Sequence, residues 1–441
     1  MVRHSRYEAL RGYTLSYKFK MQLYQHQKEI VEADPKKSGI FQGCGSGKTR
    51  TALALATGRV LVVCPKTQRD DENWQREAKM LRLDIDLTVM SKEEFRRDVL
   101  TLPKFDTVIV DEAHTCLGVT PSTHFKNRMP RPKASQLFYS LKEFIEKTKP
   151  ERVYLVTATI VKSPMTVWGA GVILGAWSGG IESFYKFRSI YYVRLPMAGR
   201  EVYSPKSDKE TKERLARLVK TIGFVGRLED YFDVPEQTFH DEYVDLTVDQ
   251  KKAIKEARLD YPDPIVAIGK INQIENGILA GDDYNKAQVF KENKTQRLLD
   301  YSIEFPRMIV FAKYTTQIEN LEKAFKKEGK KVFTLTGKTK DRGELFRQVN
   351  ACDDYVFICQ SQISAGWEIP DCPVMIFASR NYSFVDYSQA LGRILRANHL
   401  KKNLYINLIA KSEIDMAIHN ALKNKQDFDE KLYVDKSIPI P

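Results

Sequence analysis

The residues of this chain that could do chemistry fall in three places. The first is Gly43-Cys44-Gly45-Ser46-Gly47-Lys48-Thr49, set between an apolar Gly39-Ile40-Phe41 and a helix-forming Thr51-Ala52-Leu53-Ala54-Leu55-Ala56. Strand, glycine loop and helix in that order turn backbone N–H groups inward around phosphate oxygens, and the helix N-terminus adds a favourable partial charge. On this reading Gly43, Gly45, Ser46 and Gly47 shape a cradle, Lys48 reaches the β- and γ-phosphates of a nucleotide, and Thr49 ligates Mg²⁺. Gln42 stands where the stricter pattern has its first glycine.

The second place is Asp111-Glu112-Ala113-His114, which ends the apolar run Val108-Ile109-Val110. A carboxylate at the C-terminal end of a parallel strand points into the crevice where such sheets bind ligands. Asp111 there can hold Mg²⁺, and Glu112 can orient and deprotonate an attacking water. The third place is Gln389-Ala390-Leu391-Gly392-Arg393-Ile394-Leu395-Arg396. Gln389, Arg393 and Arg396 follow i, i+4, i+7 spacing, which predicts one helix face. An arginine is suited to neutralise charge developing on a transferring phosphate.

These residues need elements to hold them. Short Val/Ile-rich runs recur at Val60-Leu61-Val62-Val63, Val108-Ile109-Val110 and Val153-Tyr154-Leu155-Val156. They return at Met308-Ile309-Val310-Phe311, Val332-Phe333-Thr334-Leu335, Val356-Phe357-Ile358, Val374-Met375-Ile376-Phe377 and Leu404-Tyr405-Ile406. Runs apolar on both faces and separated by helix-length segments predict parallel sheets covered by helices, hence an α/β fold in two tandem halves. The pattern places one domain at 1–235, with a helical insertion at about 166–235, and a second at 236–441. Pro235 interrupts the pattern at the boundary.

Composition narrows the partners. Lys and Arg number 70 against 57 Asp and Glu, giving a net charge of +13, which points to a polyanion. No apolar run reaches the length of a membrane span, and the basic, non-apolar residues 1–20 predict no secretory signal. The six cysteines (Cys44, Cys64, Cys116, Cys352, Cys359 and Cys372) form no C-x-x-C pair, which argues against a zinc site or disulfide framework and fits a reducing compartment.

Taken in order, the motifs resemble those of superfamily 2 helicases and translocases with two RecA-like domains. Leu23-Tyr24-Gln25-His26-Gln27 resembles the adenine-reading Q motif, with Gln27 as reader. Gly45 to Thr49 resembles motif I, Cys64-Pro65-Lys66 motif Ia, Asp111 to His114 the DEAH form of motif II, and Thr157-Ala158-Thr159 motif III. Ile309-Val310-Phe311 is similar to motif IV, Ser364-Ala365-Gly366-Trp367-Glu368-Ile369-Pro370-Asp371 to motif V, and Gln389 to Arg396 to motif VI. Within the superfamily, Met90-Ser91-Lys92-Glu93-Glu94-Phe95-Arg96 and Arg227-Leu228-Glu229-Asp230-Tyr231-Phe232-Asp233-Val234-Pro235 resemble Swi/Snf-type DNA-dependent ATPases, including compact viral members. The Thr-Ala-Thr of motif III and the Trp367-Glu368 of motif V lean instead toward general helicases.

The resemblance implies two RecA-like domains with an ATP cleft between them, ATP and Mg²⁺ as cofactors, and ATP-driven movement along duplex or branched DNA. It implies nucleic-acid contacts or coupling at Lys66, Thr157, Thr159, Ser361 and Ser364. It further implies action as a monomer alongside replication, recombination or repair proteins, in bacterial or virus-infected cytoplasm, or in a nucleus. Three alternatives stand beside it. The first is a strand-separating DNA or RNA helicase. The second is a non-translocating P-loop NTPase, disfavoured by the arginine-bearing second half and the lack of a guanine-reading Asn-Lys-x-Asp. The third is a binding protein with a decayed ATPase, disfavoured by the intact Lys48, Thr49, Asp111, Glu112, Arg393 and Arg396.

Overall fold

The computed structural model describes residues 23–126, 129–178, 180–197, 200–281, 287–363, 367–369, 371–395, 400–425 and 427–428. Of the expected site residues, Ser364 and Arg396 lie outside the described residues. The chain divides into two compact units, Met1–Phe232 and Asp233–Pro441.

The first unit holds strands β1 (Lys37–Gln42), β2 (Arg59–Cys64), β3 (Asp86–Ser91) and β4 (Thr107–Asp111), then a hairpin of β5 (Val119–Lys126) and β6 (Met129–Ala134). Strand β7 (Arg152–Val156), a second hairpin of β8 (Tyr192–Met197) and β9 (Arg200–Pro205), and β10 (Gly223–Gly226) complete it. Six of these strands make one sheet in the order β10-β1-β7-β4-β2-β3, every pair parallel. Alternation along each strand serves two cores. Leu61, Val63, Val108, Val110, Val153 and Leu155 pack on one face. Val60, Val62, Ile109, Tyr154 and Val156 pack on the other. Helices cover both faces, which is why these strands read as unbroken apolar runs.

The second unit repeats the plan with β11 (Thr238–Val244), a short hairpin of β12 (Ile278–Leu279) and β13 (Gln288–Val289), β14 (Arg307–Ala312), β15 (Val332–Leu335), β16 (Tyr355–Gln360), β17 (Val374–Phe377) and β18 (Leu404–Ala410). Its main sheet runs β11-β18-β17-β14-β16-β15, again parallel throughout. Ile309, Phe311, Met375 and Phe377 face one core, and Met308, Val310, Val374 and Ile376 the other. Two six-stranded parallel sheets flanked by helices are the tandem α/β architecture expected from the apolar runs.

The stretch expected as a helical insertion is more varied. It contains the helices Pro164–Leu174, Phe184–Tyr191 and Lys209–Ile222, but also the β8–β9 hairpin and strand β10. Strand β10 pairs with β1 and so belongs to the main sheet. Its four residues Gly-Phe-Val-Gly are too short to register as an apolar run. Strand β11 was hidden for a different reason: His240, Asp241 and Glu242 break its hydrophobic pattern, as an edge strand permits.

Candidate functional site

Strand β1 delivers the chain into the glycine loop, and the helix Lys48–Leu55 leads away from it. Gly45 and Gly47 have φ of 81° and 82°, a left-handed conformation that costs glycine little and other residues much. A Cβ at Gly47 would also lie 2.4 Å from Gln27 Nε2. Ser46 is buried and its hydroxyl donates to Gly43 O at 2.8 Å. Lys48 Nζ donates to the same carbonyl at 2.9 Å, which keeps the ammonium beside the loop.

Gln27 is wholly buried beneath the loop rather than open beside it. Its Nε2 donates to Gly47 O at 2.9 Å and to Ser46 O at 3.4 Å, while Oε1 accepts from Tyr24 N at 2.8 Å. Both amide hydrogens therefore brace the loop, and one acceptor lone pair is left for other use. His26 lies against Ser46 O at 3.1 Å and stacks on Tyr231 with ring centroids 3.9 Å apart. Tyr24 meets Phe232 edge-on at 4.9 Å. The departure at Gln42 now has a physical reason: its Nε2 donates to Tyr231 Oη at 3.0 Å. Gly43 N donates to Gly226 O at 2.8 Å. The segment that closes the first unit is thus fastened to the loop.

Asp111 ends β4, and Glu112 follows in a left-handed turn at φ 43°. Three bonds hold that turn: Glu112 N donates to Asp111 Oδ1 at 2.9 Å, and Glu112 O accepts from Thr115 Oγ1 at 2.9 Å and from Lys92 Nζ at 3.1 Å. Burial and the neighbouring Glu112 charge push the Asp111 carboxyl up to about 6, against the pull of Lys92 and Lys48. The pair therefore carries more negative charge than its surroundings offset.

His114 joins this pair to the end of β7. Burial pushes its imidazole down to about 4, so the ring is neutral at pH 7. His114 Nδ1 is 2.8 Å from Thr157 Oγ1, and Thr157 Oγ1 is 3.5 Å from Glu112 Oε2. Thr159 N donates to Thr157 Oγ1 at 3.2 Å, and Thr159 Oγ1 lies 3.3 Å from His114 Nδ1. One tautomer satisfies the set: Nδ1–H donates to Thr157, whose hydroxyl donates on to Glu112. Thr157 thereby touches Glu112 directly, and Thr159 reaches it through Thr157 and His114, a role for His114 that its place in the sequence did not signal. Lys92 was passed over too. It stood inside a segment noted for resemblance alone, and its role depends on β3 and β4 flanking β2 in one sheet.

The structure separates the remaining expected residues. Thr49 is half-buried one residue into the loop's helix. Lys66 is exposed and opens the short helix Lys66–Asp70 after β2. Ser361 is buried, its hydroxyl turned inward to Ser379 O at 3.3 Å. The expected single helix face for Gln389, Arg393 and Arg396 is corrected. The helix spans Phe384–Leu391 and ends at Gly392, and Arg393 lies in the turn beyond it. The guanidinium is buried, donating from Nε to Gln389 O at 2.9 Å and from Nη1 to Trp367 O at 2.8 Å. Burying Ile394 in the sheet's core draws the chain out of helical register there.

The loop and acidic pair fit a magnesium–nucleotide complex. A cation would relieve the uncompensated charge at Asp111, with Thr49 as a second ligand. Lys48 and the loop N–H groups would hold phosphate oxygens. Among the described residues no group of three or more His, Cys, Asp or Glu side chains could enclose a metal by itself. Bound there, Mg²⁺ supplies charge neutralisation for phosphoryl transfer.

Comparison with known proteins bears on the second unit. Residues 291–398 match the helicase conserved C-terminal domain family. No curated protein matches the chain. Among solved structures, the SWI2/SNF2 ATPase core of Sulfolobus solfataricus in complex with dsDNA aligns over 94% of this chain and 93% of that one, at 17% identity and a TM-score of 0.39. The family match places a region similar to the helicase conserved C-terminal domain on residues 291–398, the stretch that carries strands β14 to β17 of the second sheet.

Proposed function

We propose that this protein is an ATP-dependent DNA translocase of the Swi/Snf type. In this reading ATP hydrolysis moves the chain along duplex DNA and remodels forked or branched DNA or bound proteins. The observation that carries the reading is the pair of buried Asp111 and half-buried Glu112, in contact with Thr157 and His114, on the sheet that also carries the glycine loop. Lys48, now on the Gly43 carbonyl, would turn to the transferring phosphate, and Asp111 and Thr49 would hold Mg²⁺. Glu112, oriented by its fixed turn and by Thr157, takes the proton from the attacking water. A net charge of +13 supports binding through phosphates. Thr157, in direct contact with Glu112, and Thr159, in contact with Thr157 and His114, relay hydrolysis in this reading.

Two assays under one condition test the reading: ATP-driven displacement of a triplex-forming strand, and unwinding of a blunt or simply tailed duplex. Triplex displacement with weak duplex unwinding is expected. Efficient unwinding without triplex displacement would overturn it in favour of a strand-separating helicase.

A further inference from the structure

Lys92 reaches the acidic site from two strands away, and strand register is what lets it do so. Met90 of β3 and Val110 of β4 pair with the same residue of β2, Val63, from its two sides. The ends of β3 and β4 are therefore level and two strand spacings, about 10 Å, apart. Lys92 is the first residue of the helix Lys92–Asp98 that follows β3, and its four-carbon stem crosses that gap past the end of β2. The side chain is buried. Its Nζ donates to Glu112 O at 3.1 Å and also to Thr115 Oγ1. Thr115 Oγ1 donates to Glu112 O at 2.9 Å, so the three groups close a ring on one carbonyl.

That carbonyl belongs to a residue in a costly conformation. Glu112 has φ of 43°, where Cβ is crowded by the backbone and the surroundings must impose the turn. The turn decides where the carboxylate goes. Glu112 Oε2 lies 3.5 Å from Thr157 Oγ1 and 3.4 Å from His114 Nδ1. Both contacts are long, so the backbone bonds fix the carboxylate more firmly than its own neighbours do.

Lys92 is itself held. Its helix begins with a reciprocal cap: Glu94 N donates to Ser91 Oγ at 3.1 Å, and Ser91 N donates to Glu94 Oε2 at 2.8 Å. The other oxygen of that carboxylate, Oε1, pairs with Arg69 Nη1, which comes from the helix Lys66–Asp70 after β2. The Ser91 N–H and the Arg69 guanidinium hold the Glu94 carboxyl below the usual carboxylate range, so the clamp is charged at pH 7. An unbroken series of polar contacts thus runs from Arg69 through Glu94 and the capped helix start to Lys92 and Glu112.

We propose that Lys92 is a positioning residue for the Glu112 carboxylate, that Arg69 and Glu94 hold Lys92 in place, and that turnover depends on this bracket although it lies outside the glycine loop and the acidic pair. The inference rests on the assignment of Glu112 as proton acceptor under the proposed function, and adds the residues that aim it.

The test follows ATP turnover at saturating Mg²⁺ together with the affinity and stoichiometry of ADP binding. Lys92→Met keeps the length of the stem and removes its donors. It should lower kcat about a hundredfold while ADP affinity stays within about twofold of wild type. A purely structural role would instead lower the ADP stoichiometry and leave turnover per bound site unchanged. Arg69→Gln, on a half-buried side chain, should lower kcat about fivefold and add nothing in the Lys92→Met background. Multiplied effects in the double variant would overturn the series arrangement. Wild-type turnover per bound site in Lys92→Met would overturn the bracket, and if that variant does not fold, wild-type turnover in Arg69→Gln overturns it. Glu112→Gln separates the two levels. If it hydrolyses ATP at the wild-type rate, the proton-acceptor assignment fails and the bracket with it; if it is inactive while Lys92→Met is unimpaired, the bracket alone fails.

Discussion

Among the described residues each unit buries one aspartate, Asp111 in the first and Asp415 in the second, and the two are treated oppositely. Asp415, in the second unit, is pushed up by burial, yet Lys294 and Arg380 overcome this and hold its carboxyl below the usual range. Lys294 Nζ donates to Asp415 Oδ2 at 2.8 Å and Arg380 Nη2 to Oδ1 at 2.9 Å. Asp111, in the first unit, has Lys92 and Lys48 nearby but is raised to about 6 by burial and by Glu112. Burial is common to both; compensation is not. A carboxylate whose partners are all protein groups is architecture, while one left short of positive charge is prepared for a cation that arrives from solution.

The largest effect should come from taking more positive charge from the deficient site. Lys48→Ala removes the ammonium that serves the transferring phosphate. We expect ATP turnover to fall about a thousandfold or more, with the second unit's melting unchanged. Turnover within about tenfold of wild type would contradict the assignment.

Next is the compensated site. Asp415→Asn leaves Lys294 and Arg380 buried without their counter-charge and should destabilise the second unit by about 3–5 kcal/mol, read from denaturant unfolding. The matching change in the first unit should have the opposite sign. Asp111 binds its proton more tightly folded than unfolded, so its ionisation lowers stability as pH rises from about 4 to about 6. At pH 8 without metal, Asp111→Asn should therefore stabilise the chain by up to about 3 kcal/mol, while abolishing Mg²⁺-dependent hydrolysis. Destabilisation by both substitutions would break the comparison.

A smaller effect sharpens it. Glu275 in the second unit is buried beside Asp415 and pushed up to about 7 by burial and by that charge. Its folded pKa lies above its unfolded value, so wild-type stability is lost as pH climbs through about 4.5 to 7. Glu275→Gln removes that loss. Melting curves across this range should show the variant gaining on wild type until the advantage levels off above pH 7, at about 3 kcal/mol or less. A pH-independent difference would contradict the assigned burial.

This contrast also marks what could be read in the sequence. The glycine loop and the acidic pair were legible because their geometry is local: adjacent residues, one strand end, one helix start. The eight strands β2, β4, β7, β14, β15, β16, β17 and β18 were legible as short apolar runs, most of them covered on both faces. Gln42 was not, since its partner Tyr231 is far along the chain. Arg393 misled for a related reason. Helical spacing continued past Gly392 in the sequence, but the demand to bury Ile394 and to satisfy Gln389 O and Trp367 O ended the helix. His114 and Lys92 owe their roles to contacts between strands, which no spacing rule reports.

If the Asp111–Glu112 pair is the hydrolytic site of a DNA-driven motor, as proposed, turnover must answer both to DNA and to the Glu112 carboxylate. The most direct measurement is the rate of ATP hydrolysis with and without duplex DNA, for the wild-type protein and for Glu112→Gln, which keeps Asp111 and removes the proton acceptor. We predict strong stimulation by DNA in the wild type, and in the variant nucleotide binding without turnover. A wild-type rate indifferent to DNA, or a variant that hydrolyses ATP normally, would contradict the claim.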